Sequence, residues 1–317
     1  MKRSDPLYHL IWILFAGCIC VAAATSTCHA QDLQSSPTTG SPAIRLKETP
    51  NSVEVVVDSS PFATFLAKGY AKPILYPIYV KDEIGITRNW PMRPDIGGEM
   101  HDHPHHKSMW VGHIINGVDF WTEKGGRIEV SNIQLDHDRG AFRATSNWFK
   151  NNSEQPLLTD ETLYAFGAQE NIRWIDVTIR LSSESEELRF EDTKEGTFAI
   201  RTHPNLELTP SKVRSELVPA ANARNSSGVS GRAIWGKPAK WVLYQGVIEE
   251  IPVALAIFDH PHNLRHPTTW HARDYGLVAA NPFGLHDFQG VPVGSGEHTV
   301  KRGDLLTLRY RTLFIVG

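Results

Sequence analysis

The sequence predicts an all-β fold, a large antiparallel β-sandwich, and three observations predict it. Apolar residues alternate with polar ones at a period of two in many short runs, the spacing of a strand with one buried face. Gly, Pro, Asn, Asp and Ser separate these runs at short intervals. No stretch after the first thirty residues sustains a helical period with caps at its ends. An open barrel shares these signals, but a chain of 317 residues suits one large sandwich.

The chain opens with Lys2 and Arg3, an apolar run over 10–24 and small residues up to Ala30. That is the layout of a secretory signal peptide with cleavage near Ala30, so 1–30 is read as a leader and the protein as exported, periplasmic or extracellular. The apolar run is short for a bilayer span of ~20 residues. A retained N-terminal anchor and a lipid anchor at Cys18 are the lesser alternatives. All three cysteines, Cys18, Cys20 and Cys28, fall in the leader, so the mature chain offers no thiolate as nucleophile or ligand. Residues 31–43 are rich in Ser, Thr, Pro and Gly and read as a flexible tether. Residues 44–317 are expected to form a single sandwich domain.

Strands are predicted over 53–57, 62–66 and 74–80, with Pro77 marking the third as an edge strand or a bulge. Further runs follow at 127–135, 141–149, 172–181, 187–192, 197–201, 241–244 and 253–258. In 172–181, Ile175, Val177, Ile179 and Leu181 share one face, and in the last strand Leu306, Leu308, Tyr310, Thr312 and Phe314 do the same. Trp148 and Trp174 are read as core residues. Residues 221–233 read as a polar loop able to cover a site.

Net charge is −3 and the pI about 6.6, with no basic patch, so nucleic acid is not an expected partner. No apolar run of ~20 residues follows the leader, so no membrane span is expected in the mature chain. Gly-rich nucleotide loops and a Gly-x-Ser-x-Gly elbow are both missing from the sequence.

Chemistry concentrates in histidine-rich stretches. Five histidines lie between His101 and His113, beside Glu99, Asp102 and Asp119. His203 stands alone, and a third group runs from Asp259 to Asp287; Asp-His-Pro-His occurs at 102–105 and again at 259–262. Histidine titrates near neutrality and ligates metals when neutral, so such clusters suit proton transfer or a metal. The expected pocket draws His103, His106 and His271 as acid–base or ligand residues, with Glu99, Asp102 and Asp274 orienting them. Arg273 would bind a substrate oxygen, and Asn281 is a further binding candidate. Trp110, Trp121 and Trp270 would form flat walls of the kind that suit sugar rings. The cofactor is open, with a divalent metal as one candidate and His103, His105, His260 and His266 as its candidate ligands. For each single histidine a buried partner of a backbone carbonyl, or an exposed loop residue, is the competing reading.

Gly98-Glu99, Asp102-His-Pro-His-His106, Trp110, His113, Asn116-Gly117 and Phe120-Trp121 form one motif set. Asp259-His-Pro, Arg265-His-Pro-Thr, Trp270-His-x-Arg-Asp-Tyr-Gly276 and Ala280-Asn-Pro-Phe-Gly284 form another. Together they resemble a bacterial family labelled methane oxygenase PmoA-like, over most of the chain after the tether. Lys107 stands where the family is expected to carry Arg. The label implies a metal-dependent oxidoreductase as one reading, and a sandwich like the mutarotase and sugar-lyase supersandwich is the fold analogy. The leading expectation is an exported enzyme of lyase, hydrolase or isomerase type acting on a carbohydrate or its oxidised derivative, with a saccharide as partner. A non-catalytic sugar-binding module is the other alternative.

Overall fold

A computed structural model describes residues 42–209 and 221–317; the predicted leader and all but the last two residues of the predicted tether lie outside them. The strands are β1 (Ile44–Thr49), β2 (Ser52–Val57), β3 (Ser60–Leu66), β4 (Ile74–Lys81), β5 (Ile84–Gly85), β6 (Met109–Gly112) and β7 (Ile114–Ile115). Then come β8 (Val118–Asp119), β9 (Gly126–Asp136), β10 (Ala141–Lys150), β11 (Pro156–Gln169), β12 (Ile172–Ser182), β13 (Leu188–Phe190) and β14 (Thr197–Arg201). The series ends with β15 (Asn222–Asn225), β16 (Trp241–Ile248), β17 (Ile251–Asp259), β18 (Thr269–Ala272), β19 (Leu277–Asn281), β20 (His298–Val300) and β21 (Leu305–Val316). Among the described residues the α-helix α1 (Leu285–Gln289) is little more than one turn.

The front sheet has the order β1-β2-β3-β4-β6-β14-β19-β18, with β5 paired to β4. The back sheet has the order β15-β16-β17-β21-β12-β11-β10-β9, and a small sheet β20-β13-β7-β8 closes one side. Pairing is antiparallel, so the fold is a large antiparallel β-sandwich. Period two decides which residues meet. Ile175, Val177, Ile179 and Leu181 of β12 face inward with Leu306, Leu308, Tyr310 and Phe314 of β21, and Phe62 of the front sheet meets Phe166 and Phe314 edge-on at 5.9 and 5.8 Å.

Two local readings change, and one alternative is decided. Strand β4 lies between β3 and β6 and is not an edge strand; the register shift between Ala63↔Ile78 and Phe65↔Leu75 puts a bulge at Pro77, the other reading. β4 pairs with β6 only at Leu75 and with β5 from Tyr79 onward, so Pro77, which has no N–H to give, stands in the gap between them. Trp174 is adjacent to inward Ile175, so alternation turns it to the outer face, where Arg311 packs 5.8 Å from its ring. The stretch 221–233 supplies β15 and a 3-10 turn rather than a free loop.

β14, β18 and β19 are buried at every position. Phe198, Ile200, Trp270, Ala272, Val278 and Ala280 enter the sandwich core. Their neighbours Ala199, Leu277 and Ala279 join Ile74, Tyr76, Trp110 and Trp121 in a second apolar cluster on the outer face. A sheet face that would otherwise meet water is therefore covered, and the cover is the first histidine-rich stretch.

Inside the sandwich, β11 turns Asp160 inward, where it accepts from the Trp148 indole at 2.6 Å and the Thr162 hydroxyl at 2.8 Å beside a small cavity lined also by Ser146. Burial pushes its carboxyl up to about 6 against the bonds from Trp148, Thr162 and Ser146. The folded state thus holds this proton more tightly than the unfolded chain, where an aspartate titrates near 3.9. The corresponding stability is complete below about pH 4 and is lost as pH rises through about 6. Asp160→Asn keeps one acceptor and one donor for the two partners and carries no charge. Urea denaturation should show the variant gaining on the native protein between pH 4 and pH 7 by on the order of 3 kcal/mol. A difference independent of pH would refute the assignment.

Candidate functional site

The site is built on the outer face of the front sheet. Register places Trp110 of β6, Ala199 of β14, Ala279 of β19 and His271 of β18 in one row across four strands. Two small side chains stand at the centre of this row, between a tryptophan and a histidine. Over this floor run residues 88–108, folded back on the sheet, and the turn between β18 and β19 adds Tyr275.

One guanidinium holds the covering segment in place. Arg88 is fully buried and donates to the carbonyls of Met100, Asp102, His103 and His106 at 3.0–3.4 Å, and to the Asp102 carboxylate. Burial, with Arg201 nearby, pulls Arg88 down to about 10, which leaves it charged at neutral pH. Arg201, at the end of β14, reaches the same Asp102 oxygen at 3.3 Å and Glu207 at 3.4 Å. Asp102 is therefore shared by two buried cations. Its burial opposes ionisation, but His103, Arg201 and Arg88 outweigh that and hold the carboxyl far below its ordinary range. Glu207, also beside Arg201, is pushed up by burial to about 7.

Four histidine rings belong to this face, and their neighbours differ. His103 is 40% exposed, sits at a left-handed φ of 41° and places Nδ1 3.0 Å from Asp102 Oδ2. Its ring lies nearly parallel to those of His106 and Tyr275, at 4.8 and 5.1 Å. Burial, aided by His105 and Arg201, keeps buried His106 neutral. Arg201 Nη1 can only donate, so His106 Nδ1, 3.3 Å away, accepts and Nε2 carries the proton. His271 is kept neutral by burial and Arg273, which bring it down to about 3. Its Nδ1–H donates to the Lys194 carbonyl at 2.9 Å, so Nε2 is left as an acceptor. His105 is brought down to about 4 by burial and Lys72.

Behind these rings, buried Lys72 and Lys107 share Glu123 at 2.8 and 2.6 Å, and Lys72 also donates to the Trp121 carbonyl at 2.8 Å. Burial lowers Lys72 to about 8.

The other predicted residues have different tasks. Glu99 reaches no histidine; it accepts from Asn89 N, Asn89 Nδ2 and Trp90 N at 2.6–3.0 Å and so fastens the start of the covering segment. Asp274 takes Arg232 at 3.0 Å and Thr209 at 3.2 Å, and orients no histidine. Trp270 points into the sandwich core, because it alternates with His271, and its indole donates to the Ala239 carbonyl. Asn281 spends its side chain on Thr193, Phe283 and Gly284, closing a turn. Trp110 and Trp121 lie beneath His106, buried, and support the histidines rather than forming an open wall.

The proposed metal ligands do not converge. His103 and His105 belong to the outer face, whereas His266 pairs with Asp259 at 2.7 Å and His260 stands beside Arg309 and His262. Among the described residues no three His, Cys, Asp or Glu side chains form a metal-ligating group. Asp102, His103 and His106 are brought together, with Tyr275 stacked on His103 and Arg273 next to Tyr275; His271 lies in the same row of the sheet, bonded to Lys194.

Sequence reasoning passed over Arg88, Arg201, Tyr275 and Lys72. For Arg201 a signal existed: it ends an otherwise uncharged five-residue strand buried throughout, where a charge must have partners. Arg88→Met should destabilise the protein by on the order of 3 kcal/mol, since it leaves a partly buried carboxylate and a set of carbonyls without their donor. Urea denaturation measures this, and a loss within 0.5 kcal/mol, the scatter of ordinary surface changes, would contradict the anchoring role.

No curated protein matches the chain by sequence. A crystal structure of the α-galactosidase from Lactobacillus brevis is similar over 87% of this chain at 8% identity and a TM-score of 0.40, and the chain spans 39% of that protein's length. No helix among the described residues is long and apolar enough to cross a membrane. Residues 52–317 match the family described as Family of unknown function (DUF6807), and the chain belongs to that family.

Proposed function

We propose that this protein is an enzyme that performs general acid–base chemistry on a saccharide. The observation that carries this reading is the Asp102–His103 pair: an exposed imidazole bonded at 3.0 Å to a carboxylate that two buried arginines keep ionised. His103 exchanges the proton at Nε2, while Asp102 fixes its tautomer and stabilises the imidazolium that forms. His106, stacked on His103, presents an N–H, and His271 on the same sheet face an imidazole lone pair, so the face offers one donor and one acceptor. Such a mixture suits sugar hydroxyls, which donate and accept. Tyr275 and the stacked Trp90–His101 pair, with rings 3.9 Å apart, supply partly exposed flat surfaces for a sugar ring. The leader-like first thirty residues fit an exported enzyme that meets glycans outside the cytoplasm.

The test is a panel of neutral, acidic and amino saccharides with products followed by NMR and mass spectrometry. Turnover should fall by about 10²–10⁴-fold in His103→Ala, the size of a general acid–base contribution, with thermal stability nearly unchanged because the ring is exposed. Turnover that survives His103→Ala would overturn the assignment. Binding without any product, equal in both proteins, would favour a non-catalytic sugar-binding module.

A further inference from the structure

We infer that the saccharide taken by this site is acidic, and that Arg273 receives its carboxylate. This rests on the saccharide reading above and names the substrate class.

Pairing of charges around the site isolates one cation. Arg88 is matched by Asp102, Arg201 by Asp102 and Glu207, and Lys72 and Lys107 by Glu123. Lys194 pairs with Glu195 at 3.4 Å, and Arg232 takes Asp274. Among the described residues the Arg273 guanidinium has no carboxylate and no hydrogen-bond acceptor; it lies against the rings of Tyr275 and Trp235 at 5.4 and 6.0 Å. Asp274, its neighbour in sequence, could have neutralised it and is instead committed to Arg232 and Thr209.

Arg273 is also well placed. Its N–H donates to the Leu277 carbonyl at 2.8 Å, and its own carbonyl accepts from Gly276 N and the Tyr244 hydroxyl at 3.1 and 2.9 Å. The hairpin of β18 and β19 thus fixes the backbone, and two aromatic rings hold the fork. A planar guanidinium so held matches a carboxylate with two parallel hydrogen bonds. The Tyr275 ring that Arg273 touches also stacks on His103 at 5.1 Å. A carboxylate at Arg273 therefore leaves the rest of a sugar ring beside the exchanging imidazole. Trp235 adds a buried indole N–H without a partner. Burial and, after it, the charge on Arg273 suppress protonation of His271, so an anion bound there would relieve the second of these effects and leave the first.

The experiment compares uronic-acid oligosaccharides with their carboxyl-reduced, neutral counterparts of the same linkage, by isothermal titration calorimetry. Native protein should bind the acidic member at least about tenfold more tightly. In Arg273→Gln the two affinities should converge, and Arg273→Lys should recover only part of the preference, because an ammonium lacks the fork. Equal affinities in the native protein, or a preference that survives Arg273→Gln, overturn the inference while leaving the saccharide reading intact. Failure of every acidic and neutral sugar to bind native protein overturns both.

Discussion

The buried Arg88 guanidinium is the interaction on which the site depends. A segment covering a sheet must satisfy its backbone carbonyls without strand partners, and four carbonyls between Met100 and His106 turn to this one side chain. The same group shares in charging the site. With Arg201 it keeps Asp102 ionised, Asp102 orients His103, and His103 rests on His106 and Tyr275. The cation that holds the cover thus also takes part in the electrostatics beneath it.

Fixed donors and acceptors also set the tautomers of the histidines. Arg201 cannot accept, so His106 must be protonated on Nε2; the Lys194 carbonyl cannot donate, so His271 must be protonated on Nδ1. Burial keeps both rings neutral. Two buried histidines of one face thus carry their protons on opposite nitrogens because their neighbours differ, which is how one residue type can offer a donor at one place and an acceptor at another.

Strands with one wet face were legible in the sequence. β12 and β21 announce themselves by alternation, as does β10. β18 and β19 did not, since strands buried on both faces have no alternation to show, and the third histidine-rich stretch looked like loops. β11 was obscured for a different reason: Asp160 and Thr162 occupy inward positions where apolar residues would have marked the face. The first histidine-rich stretch was singled out in the sequence with Asp102 and His103 named in it, and Arg273 was named in the third. Glu99 and Asp274 looked equivalent to Asp102 in sequence, yet each is used up by backbone amides or by another partner.

By itself the sequence determined the all-β class, the strands that alternate and the density of histidine and carboxylate in two stretches, because these follow from periodicity and composition. Only the tertiary structure decided which of those groups meet. His271 and Trp270 are adjacent in the chain and face opposite sides of β18, one toward the site and one into the core. His266 and His260, as conspicuous in sequence as His103, instead pair with Asp259 and stand beside Arg309, respectively. Sheet register and the parity of each strand place side chains on a face, and pairing across strands far apart in sequence is information that no local pattern contains.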